Sequence, residues 1–147
     1  MRSLLIVLSI LLLLRLCARA ATEQEKAFIE KYKVALETKD AATLQSYLYT
    51  TGADPMIIGF YKMMQSNGEG DKVSKIDLVD LTPDDVKKAT EPQDGPSGKV
   101  CLNLKPTKKL VIMIEKKDEN GSSTNTTENF IAEKDGKFVI PVPGPCE

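Results

Sequence analysis

Residues 22–49, TEQEKAFIEKYKVALETKDAATLQSYLY, decide the fold. Thr22-Glu23-Gln24-Glu25 is a capping box, in which the threonine hydroxyl and the glutamate carboxylate three residues on satisfy each other's free backbone donors. Phe28, Ile29, Tyr32, Ala35 and Leu36 follow at one-face helical spacing, which predicts a first helix. Lys39-Asp40 breaks that pattern, and Asp40 is placed to cap a second helix carrying Leu44, Tyr47 and Leu48. Thr50-Thr51-Gly52 ends it. Asp54-Pro55 then opens a third helix, because proline at the first helical position loses no needed donor. Its predicted buried stripe is Ile57, Phe60, Tyr61 and Met64.

After Asn67-Gly68-Glu69-Gly70 the period changes to that of strands. Val73 to Leu81 reads as a strand with a phase slip, since Ile76 and Leu78 share one face and Val79 and Leu81 the other; a bulge or bend is expected there. Thr82-Pro83-Asp84-Asp85 predicts one helical turn, and Glu91 to Gly98 a surface loop. Strands are predicted over Val100–Leu104, Lys109–Lys117, Thr127–Glu133 and Phe138–Val142, with a polar loop over Asp118–Thr126. Leu110 through Ile114 are all apolar, so that strand is the most deeply buried. Asp135-Gly136 is a hairpin turn. Pro141, Pro143 and Pro145 remove ladder donors and favour an extended tail. Helices first and antiparallel strands after is an α+β order: helices packed on one face of a curved, mainly antiparallel sheet.

The N-terminus reads differently from the rest. Arg2, an apolar run from Leu4 to Leu14 and the small-residue pattern Ala18-Arg19-Ala20 form a secretory leader, with cleavage expected after Ala20. The apolar run is about half the ~20 residues that span a bilayer, so no stable membrane anchor is expected after cleavage. Residues 21–147 then form a single domain, 127 of the 147 residues, in a secreted or periplasmic location. The leader holds all three arginines, so the mature chain keeps 17 lysines against 21 acids and a charge near −4. That balance, with no run of like charges, argues against a nucleic-acid partner.

Loss of the leader removes Cys17 and leaves Cys101 and Cys146, 45 positions apart. Outside the cytoplasm such a pair can oxidise to one disulfide. Cys101 shares a strand face with Asn103, where a C-terminal tail could reach it; two free thiols is the alternative.

The order of elements resembles the NTF2-like, or SnoaL-like, cone fold. The resemblance is carried by Phe28, Tyr32, Ala35-Leu36, Lys39-Asp40, Leu44 and Tyr47-Leu48-Tyr49, with the short third helix and bent strands behind them. It is similar to exported, uncharacterised bacterial members of that superfamily. The resemblance implies a cavity between the first helix and the concave sheet face, and pairing of copies into a homodimer. Catalytic members place His, Asp and Tyr in the cavity; this chain contains no histidine, so that machinery does not carry over. The fold alone assigns no function.

Candidate cavity residues are Tyr32, Tyr47, Tyr61, Asn103 and Met113, with core tyrosines and an outward asparagine as the ordinary reading. Asp77, Asp80 and Glu115 read as surface charge, because none has an identifiable partner in an apolar run. No phosphate loop or nucleophile elbow is present, and without histidine a zinc site has almost no ligands, so no metal or cofactor is expected. Asp118-Glu119-Asn120-Gly121-Ser122 begins like a calcium loop, but Ser123 and Asn129 stand where glycine and glutamate are needed. Asn120 and Asn125 open formal glycosylation sequons, relevant only with a eukaryotic secretory source. Met56, Met63 and Met64 cluster on the third helix, where burial or a partner-binding face would each explain them. The sequence thus points to an exported binding domain for a small apolar ligand or a protein partner. Its alternatives are a cavity enzyme using a Tyr/carboxylate pair and an interaction or structural module of the cell envelope.

Overall fold

The computed structural model describes residues 21–66, 72–119 and 121–146. The leader reading, the Asn67–Gly70 break and the Asn120 sequon lie outside them. Among the described residues four helices and eight strands follow in chain order: α1 (Glu23–Glu37), α2 (Ala41–Ser46), β1 (Leu48–Tyr49), α3 (Pro55–Ser66), β2 (Val73–Asp80), α4 (Pro83–Thr90), β3 (Gln93–Gly95), β4 (Gly98–Leu102), β5 (Lys108–Asp118), β6 (Gly121–Lys134), β7 (Lys137–Pro141) and β8 (Pro143–Pro145). The main sheet has the order β1-β7-β6-β5-β2, antiparallel except where β1 runs parallel to β7. A second sheet, β3-β4-β8, is antiparallel throughout. The α+β class and the helix-on-sheet arrangement agree with the sequence pattern.

α1 starts where the capping box places it: Thr22 Oγ1 accepts from Glu25 N at 3.1 Å, and Glu25 Oε2 accepts from Thr22 N at 2.6 Å. Its buried stripe, Glu25, Phe28, Tyr32 and Ala35, lies on the sheet face formed by Leu110, Ile112, Ile131, Phe138 and Ile140. Register explains that face: Leu110 stands opposite Leu78, and Ile112 opposite Ile76. α1 ends with Lys39 in the left-handed region (φ 57°), and the Asp40 amide donates back to the Ala35 carbonyl at 2.9 Å. Asp40 then caps α2 through the Thr43 amide at 3.0 Å.

Several expectations are corrected. On α3, Ile57, Ile58 and Tyr61 pack inward, whereas Phe60 and Met64 are exposed. The helix is an outer layer that can bury only one side: Ile57 and Tyr61 of the predicted stripe lie on it with Ile58, while Phe60 and Met64 do not. The register shift in β2 falls between Val73 and Lys75, not at the Leu78–Val79 phase slip. The predicted turn after Thr82 is a two-turn helix, since Asp85 completes a second capping box. Residues 121–126 are strand rather than loop: β5 and β6 form one long hairpin in which these polar residues pair through their backbone with residues 113–118. The loop after Glu91 contains the β3–β4 hairpin. Asp135 (φ 51°) and Gly136 (φ 72°) form the expected two-residue turn.

The tail does not end loose. β8 pairs with β4, the Asp54 amide donates to the Pro143 carbonyl at 2.9 Å, and Cys101 and Cys146 are joined with their Cα atoms 5.0 Å apart. A side chain at Gly144 would overlap the Gly52 carbonyl, so only glycine lets the tail lie this close. By loop-closure entropy the disulfide stabilises the fold by about 4 kcal/mol. Urea unfolding of oxidised protein against Cys101→Ser should show a loss approaching that size, and reductant should lower the oxidised protein to the variant's midpoint. Identical midpoints for oxidised and Cys101→Ser protein would show that the crosslink carries no stability.

Candidate functional site

Between α1 and the sheet, where the resemblance implies a cavity, aromatic rings pack against one another. Phe28 lies 5.2 Å edge-on to Tyr47, 5.3 Å from Phe138 and 5.8 Å from Tyr32, and Tyr32 lies 5.4 Å from Tyr47. Tyr32 is 1% exposed, and its hydroxyl meets the Gln65 amide of α3 at 3.2 Å. The polar end of this core ring is therefore satisfied inside the protein.

At the edge of the ring cluster an open groove of about 530 Å³ remains. Its lining includes Gln24, Phe28, Lys31, Tyr47, Lys137 and Phe138. Each wall follows from local sequence. Gln24 and Lys31 flank the buried stripe of α1, Tyr47 caps α2, and Lys137-Phe138 follows the Asp135-Gly136 turn at the point where β7 begins. The Gln24 side-chain amide donates to the Gly136 carbonyl, fixing the turn against α1. The floor is thus aromatic and the rim carries two ammonium groups. Among the described residues neither Lys31 nor Lys137 forms an ion pair.

Burial pushes the hydroxyls of Tyr32, Tyr47 and Tyr61 above their ordinary range, so they remain protonated donors and not bases. No tyrosine hydroxyl among the described residues is hydrogen-bonded to a carboxylate. The groove can hold a molecule by apolar contact and by charge at its rim. It offers no acid–base pair.

The five candidates are dispersed by the fold. Tyr32 and Tyr47 are brought together, and Tyr47 lines the groove. Tyr61 packs on the core from α3. Met113 alternates with Ile112 along β5 and so points away from α1. Asn103 is a backbone staple: its amide nitrogen donates to the Tyr49 and Thr51 carbonyls at 2.7 and 3.0 Å, and its oxygen accepts from Val142 N at 3.0 Å. It borders a second depression of about 480 Å³ beside Cys101, walled largely by backbone. Asp77 pairs with Lys75 at 3.0 Å, Asp80 with Lys108 at 2.9 Å, and Glu115 accepts from Ser122 at 2.8 Å. Asn125 is exposed on β6. No group of three metal-ligating side chains occurs among the described residues.

Two lysines that the sequence reading passed over hold the helices that frame the groove and its opposite face. Lys108 reaches Glu25 at 3.1 Å and Asp80 at 2.9 Å; Lys109, on the other side of β5, reaches Asp85 at 3.0 Å and Glu128 at 3.1 Å. The Thr22 backbone amide and then Lys108 hold the Glu25 carboxyl below its ordinary range. Asp85 is lowered to about 2, first by the Thr82 amide and hydroxyl and then by Lys109. The signal available in sequence was the second capping box, Thr82-Pro83-Asp84-Asp85.

A carboxyl depressed in the folded state stabilises the protein above the ordinary carboxylate range and loses that contribution as pH falls toward its folded value. Stability should therefore decline between about pH 4 and pH 2. Asp85→Asn should be less stable at neutral pH and show a shallower acid decline, read from urea midpoints across that range. An unchanged acid slope would show that Asp85 is not held as its geometry indicates. No family model matches the chain, and no curated protein or solved structure is significantly similar to it.

Proposed function

We propose that this chain is an exported, non-catalytic binding domain of the NTF2-like type that holds a small, largely apolar ligand in the groove beside α1. The observation that carries the reading is a groove lined by Phe28, Tyr47 and Phe138 together with Lys31 and Lys137, neither of which forms an ion pair among the described residues. An apolar body would stack on the rings, and an acidic substituent would meet the lysines. The cone-type fold is supported by helices preceding a curved, mainly antiparallel sheet that packs on α1. Export is supported by the order of residues 2–20 and by a disulfide suited to an oxidising compartment. No helix among the described residues is long and apolar enough to cross a membrane.

Amide shifts in ¹⁵N spectra during titration with phenylacetate and octanoate, and with the neutral phenylethanol, test the reading. Saturable shifts should gather at Ala27, Lys31, Tyr47, Gly136 and Lys137. Ala27→Trp, which fills the groove from an exposed helical position, should abolish them. Replacing Lys31 and Lys137 together by glutamine should weaken the acids about tenfold and leave the neutral alcohol unchanged. The absence of saturable shifts with all three compounds, or binding indifferent to Ala27→Trp, would overturn the assignment.

A further inference from the structure

The outward side of α3 is the most apolar exposed element of the described chain. Six large hydrophobic side chains are exposed, and four of them lie here: Met56 at 66%, Phe60 at 52%, Met63 at 51% and Met64 at 46%. The inward side is already occupied, with Ile57, Ile58 and Tyr61 on the core and Gln65 bonded to Tyr32. Met56, Phe60 and Met63 follow one another at helical spacing, and Gly59 lies beside them on the same outward side.

Gly59 is the telling residue. Glycine is the poorest helix former after proline, and here it stands in the middle of a helix. Its backbone does not require it, because its φ is not positive, and a Cβ placed there would meet no atom within 4 Å. Among the described residues nothing accounts for the missing side chain. A notch next to an exposed phenylalanine is self-complementary: when two such helices cross about a two-fold axis, each Phe60 can enter the other's Gly59 notch.

We infer that α3 is a self-association surface on which a second copy of this chain docks, helix against helix, across Gly59. The charge pattern suits an identical partner. α3 carries no acid and one cation, Lys62, so two copies meet without opposed like-charge clusters, and the face has no charge with which to select a strongly charged partner. The four side chains expose roughly 400 Å² in each copy, the scale of the largest apolar patch on an ordinary monomer. Two such patches bury about 800 Å² between them, below the ~1,200 Å² of standard specific interfaces and in the range of weak, transient ones. The dimer is therefore weak and reversible.

Sedimentation equilibrium of the full chain from micromolar to millimolar concentration should show a reversible monomer–dimer equilibrium. Phe60→Glu should leave monomer throughout. Gly59→Leu should weaken the dimer about tenfold while raising the thermal midpoint, since leucine is the better helix former. That opposite movement separates a blocked notch from a damaged fold. Neither substitution touches the groove beside α1. A single monomeric mass at all concentrations would overturn the proposal, as would association that survives both substitutions. Monomer that instead sediments with phosphatidylglycerol–phosphatidylethanolamine vesicles, and loses this with Phe60→Glu, would assign the face to lipid and overturn it equally.

Discussion

Two consecutive lysines fasten the helices to opposite faces of one strand. Because side chains alternate along β5, Lys108 and Lys109 point in opposite directions, and each ends on the third-position carboxylate of a capping box: Glu25 at the start of α1 and Asp85 at the start of α4. Glu25 and Asp85 are nearly excluded from solvent, yet every one of these charges has a partner. Such pairs are weak sources of net stability but costly to break singly, because the remaining charge is left buried. They determine where each helix begins and at which height along β5 it sits. The aromatic stripe of α1 and the buried side of α4 are thereby set before any apolar contact is counted.

The position of α1 explains why the protein presents a groove and not an enclosed chamber. With the helix N-terminus held at Lys108, Phe28 and Tyr32 project onto β7 and β6 and meet Tyr47 and Phe138. Ring-on-ring packing occupies space below the helix, and a groove opens on the side toward the Asp135-Gly136 turn. Binding there asks for no rearrangement of the core, which favours a site formed in advance. Burial keeps the Tyr32 and Tyr47 hydroxyls protonated, and among the described residues neither is hydrogen-bonded to a carboxylate.

What the sequence made legible was local. Capping residues, the Lys39-Asp40 break, the proline at the start of α3 and the Asp-Gly turn each act within a few positions, and the elements begin and end where those residues stand. The apolar run at Leu110–Ile114 likewise marked β5, an inner strand of the main sheet. What escaped was set by partners distant in the chain. Residues 121–126 are polar and read as loop, yet they are strand because β5 supplies a backbone ladder opposite. Phe60 and Met64 look like core, but the outer position of α3 leaves them in solvent. The groove's two lysines come from α1 and β7, and no spacing rule connects them. Asn103, singled out as a cavity candidate, is spent on backbone groups from two remote segments.

The pinned tail has a consequence for the order of events in the life of the chain. β1, formed early in the sequence, finds its parallel partner only in β7, and β4 receives its second neighbour only from β8. The sulfur that pairs with Cys101 belongs to the penultimate residue. Each sheet is therefore completed by a strand that follows the Asp135-Gly136 turn: β7 in the main sheet and β8 in the second. Closure of each sheet depends on pairing between segments far apart in sequence, which is slow relative to the local contacts of the helices. The helices at the front of the domain can thus form on local contacts alone, whereas each sheet forms only as a whole.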